Sequence, residues 1–181
     1  MLLHLKENYE PAKIHLVTTG GTIEKTYDET DGLLENRDSI IVAWLHSHLR
    51  LPHTHLCVHG LMAKDSLFMT EEDRALIAET IRSLQDSDPG TGIVISHGTD
   101  TMALSALFCE KAIPDIRVPV LFTGAMKPLG FLDSDAVQNI TEAIMAAQLL
   151  APGFYIAFHN RIFTPERVVK NLKKKTFEAK E

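Results

Sequence analysis

Gly92-Ile93-Val94-Ile95-Ser96 is a short apolar run that breaks at His97-Gly98-Thr99-Asp100-Thr101. So short an apolar run, bounded by a glycine turn, predicts a strand. The same order of residues recurs on either side. Ile14-His15-Leu16-Val17 runs into Thr18-Thr19-Gly20-Gly21-Thr22, and Val118-Pro119-Val120-Leu121-Phe122 into Thr123-Gly124-Ala125-Met126. His55–His59 and Phe154–Phe158 are two more strand candidates.

Helical patterns lie between them. Thr70 and Asp73 form a loose capping box for a helix to about Leu84, with Leu76, Ile77, Ile81 and Leu84 on one stripe. A second pattern spans Met102 to Ala112, its Met102, Ala103, Leu104, Ala106 and Leu107 facing the core. A third runs from about Asp135 to Leu150. Ile40–Leu49 is a fourth, capped by Asp38 or Ser39, with Trp44 and Leu45 in the core. Glu24 to Asn36 is a polar loop or short hairpin, and the polar tail His159–Glu181 is expected to lack regular structure. Strands alternating with helices predict a three-layer α/β/α fold around a mostly parallel sheet. Ligands of such sheets bind at the carboxyl ends of the strands, where the glycine turns would converge.

Composition narrows the function. The chain has 181 residues, 45% hydrophobic and 23% charged, which is globular and enough for one domain without staples. Its net charge of −6 argues against nonspecific nucleic-acid binding. No apolar run approaches the roughly 20 residues of a membrane span, and Met1–Glu7 is charged too soon for a secretory signal. Cys57 and Cys109 belong to no CxxC pair, so two buried free thiols in a reducing cytoplasm are expected. His46, His48, His53, His55 and His59 crowd around Cys57 but match no zinc spacing. They are taken as solvent-facing or interface histidines, and no metal is expected.

The turns carry hydroxyls and carboxylates. Thr19-Gly20-Gly21-Thr22 is neither a dinucleotide fingerprint nor a P-loop. A threonine nucleophile needs a base nearby. Thr99 and Asp100 stand at one strand end, Asp65 and Ser66 at another, and Lys170 lies downstream in Arg167-Val168-Val169-Lys170. A lysine serves as base only where burial or neighbours lower its pKa.

These segments resemble the L-asparaginase/glutaminase family of threonine amidohydrolases. Thr19-Gly20-Gly21-Thr22-Ile23 is similar to its first signature and His97-Gly98-Thr99-Asp100-Thr101-Met102 to its second. Asp65-Ser66 with Met69–Asp73, Gly124-Ala125-Met126-Lys127-Pro128, and Arg167–Lys170 resemble three further family segments, in order over residues 14 to 177. The resemblance implies that Thr22 attacks a side-chain amide and that Thr99, Asp100 and Lys170 form an activating triad. It implies that Ser66 and Asp100 hold the α-carboxylate and α-amine of L-asparagine or a close amide. Asp65, Gly21, Gly98 and the Ala125 backbone would line the same pocket. It implies no cofactor, a small-molecule amide as substrate, and a homodimer or higher homo-oligomer.

Three departures stand out. Family members carry a smaller C-terminal domain, so residues 1–181 correspond to the large N-terminal domain alone. Tyr27 is the only candidate for the family's loop tyrosine and comes early in the loop; Leu67 stands where a polar residue is common. They keep two alternatives open: a non-catalytic amino-acid-binding or sensing module, and an amidase subunit that feeds ammonia to a partner.

Overall fold

The computed structural model describes residues 10–36 and 41–180, apart from the side chains of Val42 and His46. The Asp38 or Ser39 cap lies outside the described residues.

The six-stranded sheet is built from β1 (Ala12–Thr18), β4 (Thr54–Gly60), β5 (Gly92–Ser96), β6 (Pro119–Thr123), β7 (Gly153–Phe158) and β8 (Arg161–Phe163). Their order is β4-β1-β5-β6-β7-β8, and only β8 is antiparallel to its neighbour. Alternation along the strands sends side chains to two cores. Val17, Ile93, Ile95, Val120 and Phe122 pack under α2 (Glu71–Ser87) and α3 (Met102–Ala112). Ile14, Leu16, Val94, Leu121 and Ala157 pack under α1 (Ile41–His48) and α4 (Ala136–Leu149). The result is a three-layer α/β/α sandwich. β5 and β6 are buried at every position, which is why they look continuously apolar in the sequence.

Chain order reverses at β1, with β4 on one side and β5 on the other. In a doubly wound sheet that switch point leaves a crevice at the carboxyl ends, between turns diverging to opposite faces. The turns after β1 and β5 flank it.

Three expectations are corrected. The tail after β7 is structured: β8, a single 3-10 turn (Pro165–Arg167), then the antiparallel pair β9 (Val168–Asn171) and β10 (Thr176–Ala179). Phe163, Val168 and Phe177 anchor it to the core, while Asn171 caps its turn by accepting from the Lys173 and Lys174 amides. Leu76 and Leu104 are exposed, at 42% and 54%; buried Arg74 and Ala78 complete the inner face of α2 instead. Cys109 is buried but Cys57 only partly so. The 24–36 segment forms the hairpin β2 (Lys25–Tyr27) and β3 (Leu34–Asn36). Among the described residues no helix is long and apolar enough to cross a membrane.

Candidate active site

Glycines bring the strand-end turns into contact. Gly20 and Gly21 have φ of 90° and 83°, a region that side chains resist. A Cβ on Gly21 would fall onto the backbone of Gly98, and one on Gly98 would lie 2.5 Å from Ser66 Oγ. Three segments far apart in sequence therefore meet, Gly21 backbone to backbone with Gly98 and Gly98 against the Ser66 side chain. Hydrogen bonds fix the stack: Gly21 N donates to Lys64 O at 3.0 Å, Thr19 Oγ1 to Ser96 O at 2.7 Å, and Thr101 Oγ1 to Ser66 O at 2.8 Å.

Thr22 is half-buried and opens a 3-10 turn (Thr22–Glu24) capped by Gly21. Buried Glu24 folds back to accept from Gly20 N at 2.7 Å, holding the turn in place. Thr99 is buried and Asp100 exposed on the neighbouring turn. Lys170, from β9, donates to Thr99 Oγ1 at 2.7 Å and to Asp100 Oδ1 at 2.8 Å. The hairpin that the sequence hid thus delivers its lysine to the turn after β5.

Ser66 is fully buried, and its hydroxyl has no hydrogen-bond partner among the described residues. A buried polar atom left so is costly unless a ligand or water completes it. Asp65 caps the 3-10 turn Ser66–Phe68 by accepting from Leu67 N at 3.1 Å. Its other oxygen accepts from Lys25 Nζ at 2.9 Å. The Lys25 hydrogen bond, against burial, holds the Asp65 carboxyl below its ordinary range, and Lys170 adds to this. Ala125 is buried on the third turn. Asp135 ties down the backbone after it, accepting from Met126 N and Lys127 N at 3.0 Å. Burial pushes the Asp135 carboxyl up, but these amides and His159 outweigh it and hold it below its ordinary value. His159 also reaches Thr176 Oγ1 at 2.9 Å, joining the Ala125 turn to the Lys170 hairpin.

Tyr27 is not tied into this cluster. It is 65% exposed, and its hydroxyl lies against Gly32 within its own hairpin. Sequence reasoning assigned no role to Lys25, Arg74 or His97. Arg74 is buried and donates to the carbonyls of Met69 and Thr70, bracing the Ser66 turn from behind. His97 is fully buried, and burial lowers its imidazole to about 4, so it is neutral with Nδ1–H donating to Gly98 O at 2.7 Å. Only the charged or buried character of these residues marks them in the sequence; their partners lie too far along the chain.

Among the described residues no three His, Cys, Asp or Glu side chains converge to hold a metal. His48, His53 and His55 are exposed, whereas His59 turns to His15, ring nitrogens 3.1 Å apart; the His46 side chain lies outside the described residues.

Residues 13–180 match the family model described as asparaginase, N-terminal. The chain is 31% identical over 160 residues to an L-asparaginase of Thermococcus kodakarensis, covering 87% of this chain and 47% of that one. It is 32% identical over 164 residues to L-asparaginase 1 of Escherichia coli, with the same coverage. One of the glutamyl-tRNA(Gln) amidotransferase subunits of Haloquadratum walsbyi is 29% identical over 150 residues, 81% of this chain and 33% of that one. The solved Thermococcus kodakarensis thermostable L-asparaginase superposes with a TM-score of 0.81 at 29% identity, over 92% of this chain and 51% of that one. The chain spans about half the length of the L-asparaginases it matches. With glycine-packed turns at the switch point and a family model matched almost end to end, the chain belongs to the asparaginase family.

Proposed function

We propose that this chain hydrolyses the side-chain amide of L-asparagine or a close relative to the acid and ammonia. The observation that carries the reading is the placement of Lys170 Nζ within hydrogen-bond reach of both Thr99 and Asp100. Thr22 attacks the amide carbon. Backbone N–H groups near Gly21 or Thr99 receive the developing oxyanion. Once Lys170 gives up a proton, its contact with Thr99 reverses and the Thr99 hydroxyl becomes the donor. As the Thr22 Oγ–carbon bond forms, the Thr22 hydroxyl proton passes by way of Thr99 and Lys170 to the amide nitrogen, the C–N bond breaks and ammonia leaves. Water then attacks the acyl group, returning a proton to Thr22 Oγ as the acid is released. Ser66 and Asp100 hold the substrate's carboxylate and amine, with Asp65, Gly21, Gly98 and Ala125 around them. Tyr27 covers the nucleophile when substrate is bound. A second copy of this chain closes the site from bulk water, and the protein works in the cytoplasm on a small molecule.

Ammonia release from L-asparagine, D-asparagine, L-glutamine and simpler β-amides tests this. Thr22→Ala should lose at least about a thousandfold in rate while keeping its melting temperature. Full activity in that variant would sink the assignment. A second reading, an amidase subunit that feeds ammonia to a partner enzyme, is favoured by the similarity to the Haloquadratum walsbyi amidotransferase. Co-purification with a large partner would select it; a self-sufficient homo-oligomer would count against it.

A further inference from the structure

The charges around Ser66 are unevenly committed. Asp65 has both oxygens occupied, one by Leu67 N and one by Lys25 Nζ. Asp100 has one oxygen on Lys170. Each carboxylate of the cluster is thus neutralised by a lysine, and both oxygens of Asp65 are engaged before any substrate ammonium arrives. Lys25 differs. An ammonium carries three N–H donors, and among the described residues the single side-chain bond of Lys25 is the one to Asp65. Its side chain is only 24% exposed, so its head group is held against the segment that carries Ser66 rather than free in open water. In that segment the Ser66 hydroxyl is buried without a partner among the described residues. The Leu67 side chain, at 65% exposure, adds apolar surface and has no hydrogen-bonding group.

A cation with spare donors, paired to the residue that precedes one with an unsatisfied hydroxyl, is a receptor for an anion. Resting on the reading above, we infer that Lys25, together with Ser66, grips the substrate's carboxylate, so that the site selects ω-amides of dicarboxylic acids whether or not they carry an α-amine. Succinamate, which is asparagine without its amine, is then a substrate alongside L-asparagine. β-Alaninamide, which keeps the amine and lacks the carboxylate, is a poor one. Lys25 sets specificity and takes no part in bond breaking.

The test pairs steady-state kinetics with calorimetry of succinate, the product-like anion. Succinamate should be turned over within about tenfold of L-asparagine in kcat/KM. Lys25→Met should raise KM for both by about tenfold or more, with kcat changed by less than about threefold and β-alaninamide unaffected. Lys25→Arg should retain most of the affinity. Asp65→Asn keeps the Leu67 cap and releases Lys25, so it should tighten succinate binding. If the pair were only a tie between the hairpin and the Ser66 turn, Lys25→Met and Asp65→Asn would weaken succinate alike, and the inference would fall. It also falls if L-asparagine is hydrolysed and succinamate is not. If wild-type protein hydrolyses no amide, the amidohydrolase reading fails separately. Succinate calorimetry still decides Lys25 in that case: loss of binding in Lys25→Met supports the receptor, and unchanged or absent binding overturns it.

Discussion

The wall of the site and its rim are held by different physics. The wall is the stack of turns after β1, β5 and β6: buried, glycine-packed backbone against backbone, with fixed hydrogen bonds. The rim is the β2–β3 hairpin, the Asp65–Phe68 turn and the β9–β10 hairpin, held by lysine–carboxylate pairs on partly exposed side chains: Lys25–Asp65 within the rim and Lys170–Asp100 from rim to wall. Packing in the wall is steric and unforgiving, since buried backbone has no room to relax. Contacts in the rim are electrostatic and exchangeable, so a substrate ion can compete for them. On the proposed function, a site built this way would fix its reacting groups rigidly and adjust its ligand specificity at little structural cost.

The sharpest break is Gly21→Ala. The new methyl would collide with the Gly98 backbone in a left-handed conformation that alanine resists. We expect a loss of about 4 kcal/mol or more, read as a collapse of the denaturant midpoint. A variant of near-normal stability would mean that the turns are not in contact.

His97 provides the next test, by pH. Its imidazole titrates near 4 in the folded chain against an ordinary 6.5, so it must stay neutral to fold. Its contribution is complete above pH 6.5 and is lost as pH falls from there toward 4, because only the unfolded chain takes up the proton. The expected loss is about 3 kcal/mol. His15 and His59 are held below their ordinary values by burial and add slope of the same sign. The measurement is therefore the difference in pH slope between wild type and His97→Gln. Identical slopes would remove His97 from the account.

The wall is more legible in the sequence than the rim. An apolar run ending in Gly-Gly or His-Gly declares both a buried strand and a tight turn within ten residues, because burial and backbone conformation are local demands. The Lys170 hairpin escapes a sequence reading for the opposite reason. Its strands are four residues each, Val168 and Phe177 are their deeply buried positions, and lysines fill its turn. Period-2 alternation cannot register over so short a span. The Lys25–Asp65 pair joins residues 40 apart and no local pattern marks it. Leu76 and Leu104 mislead because helical spacing gives a stripe but not its width, and small or buried polar residues take the inner positions.

Asp135 joins the two regions and should give an intermediate effect. It receives two amides from the Ala125 turn and, through His159, steadies the hairpin that bears Lys170. Asp135→Asn should cost about 1.5 kcal/mol, since hydrogen bonds to a partly buried charge are lost. The carboxyl is held below its ordinary value, so its contribution is present above the unfolded carboxylate range and disappears as pH falls through the folded value. Thermal melts of wild type and Asp135→Asn should therefore converge in acid. Parallel melts at all pH values would show that the carboxylate charge does not link the two regions.

The smallest change in stability belongs to Lys25→Met, and it separates the regions most cleanly. The Lys25 and Asp65 side chains are 24% and 27% exposed, so solvent screens the pair. Its removal should cost about half a kcal/mol of stability. The same substitution should weaken succinate about tenfold, a free-energy change two to three times larger. Denaturant melts and succinate titrations on one preparation give both numbers, and added salt should erode the affinity of wild type but hardly that of the variant. A wall residue shows the reverse, losing stability first and affinity only with it. Should Lys25→Met lose stability and affinity in equal measure, Lys25 belongs to the wall, and the division between fixed chemistry and adjustable recognition would have to be drawn elsewhere.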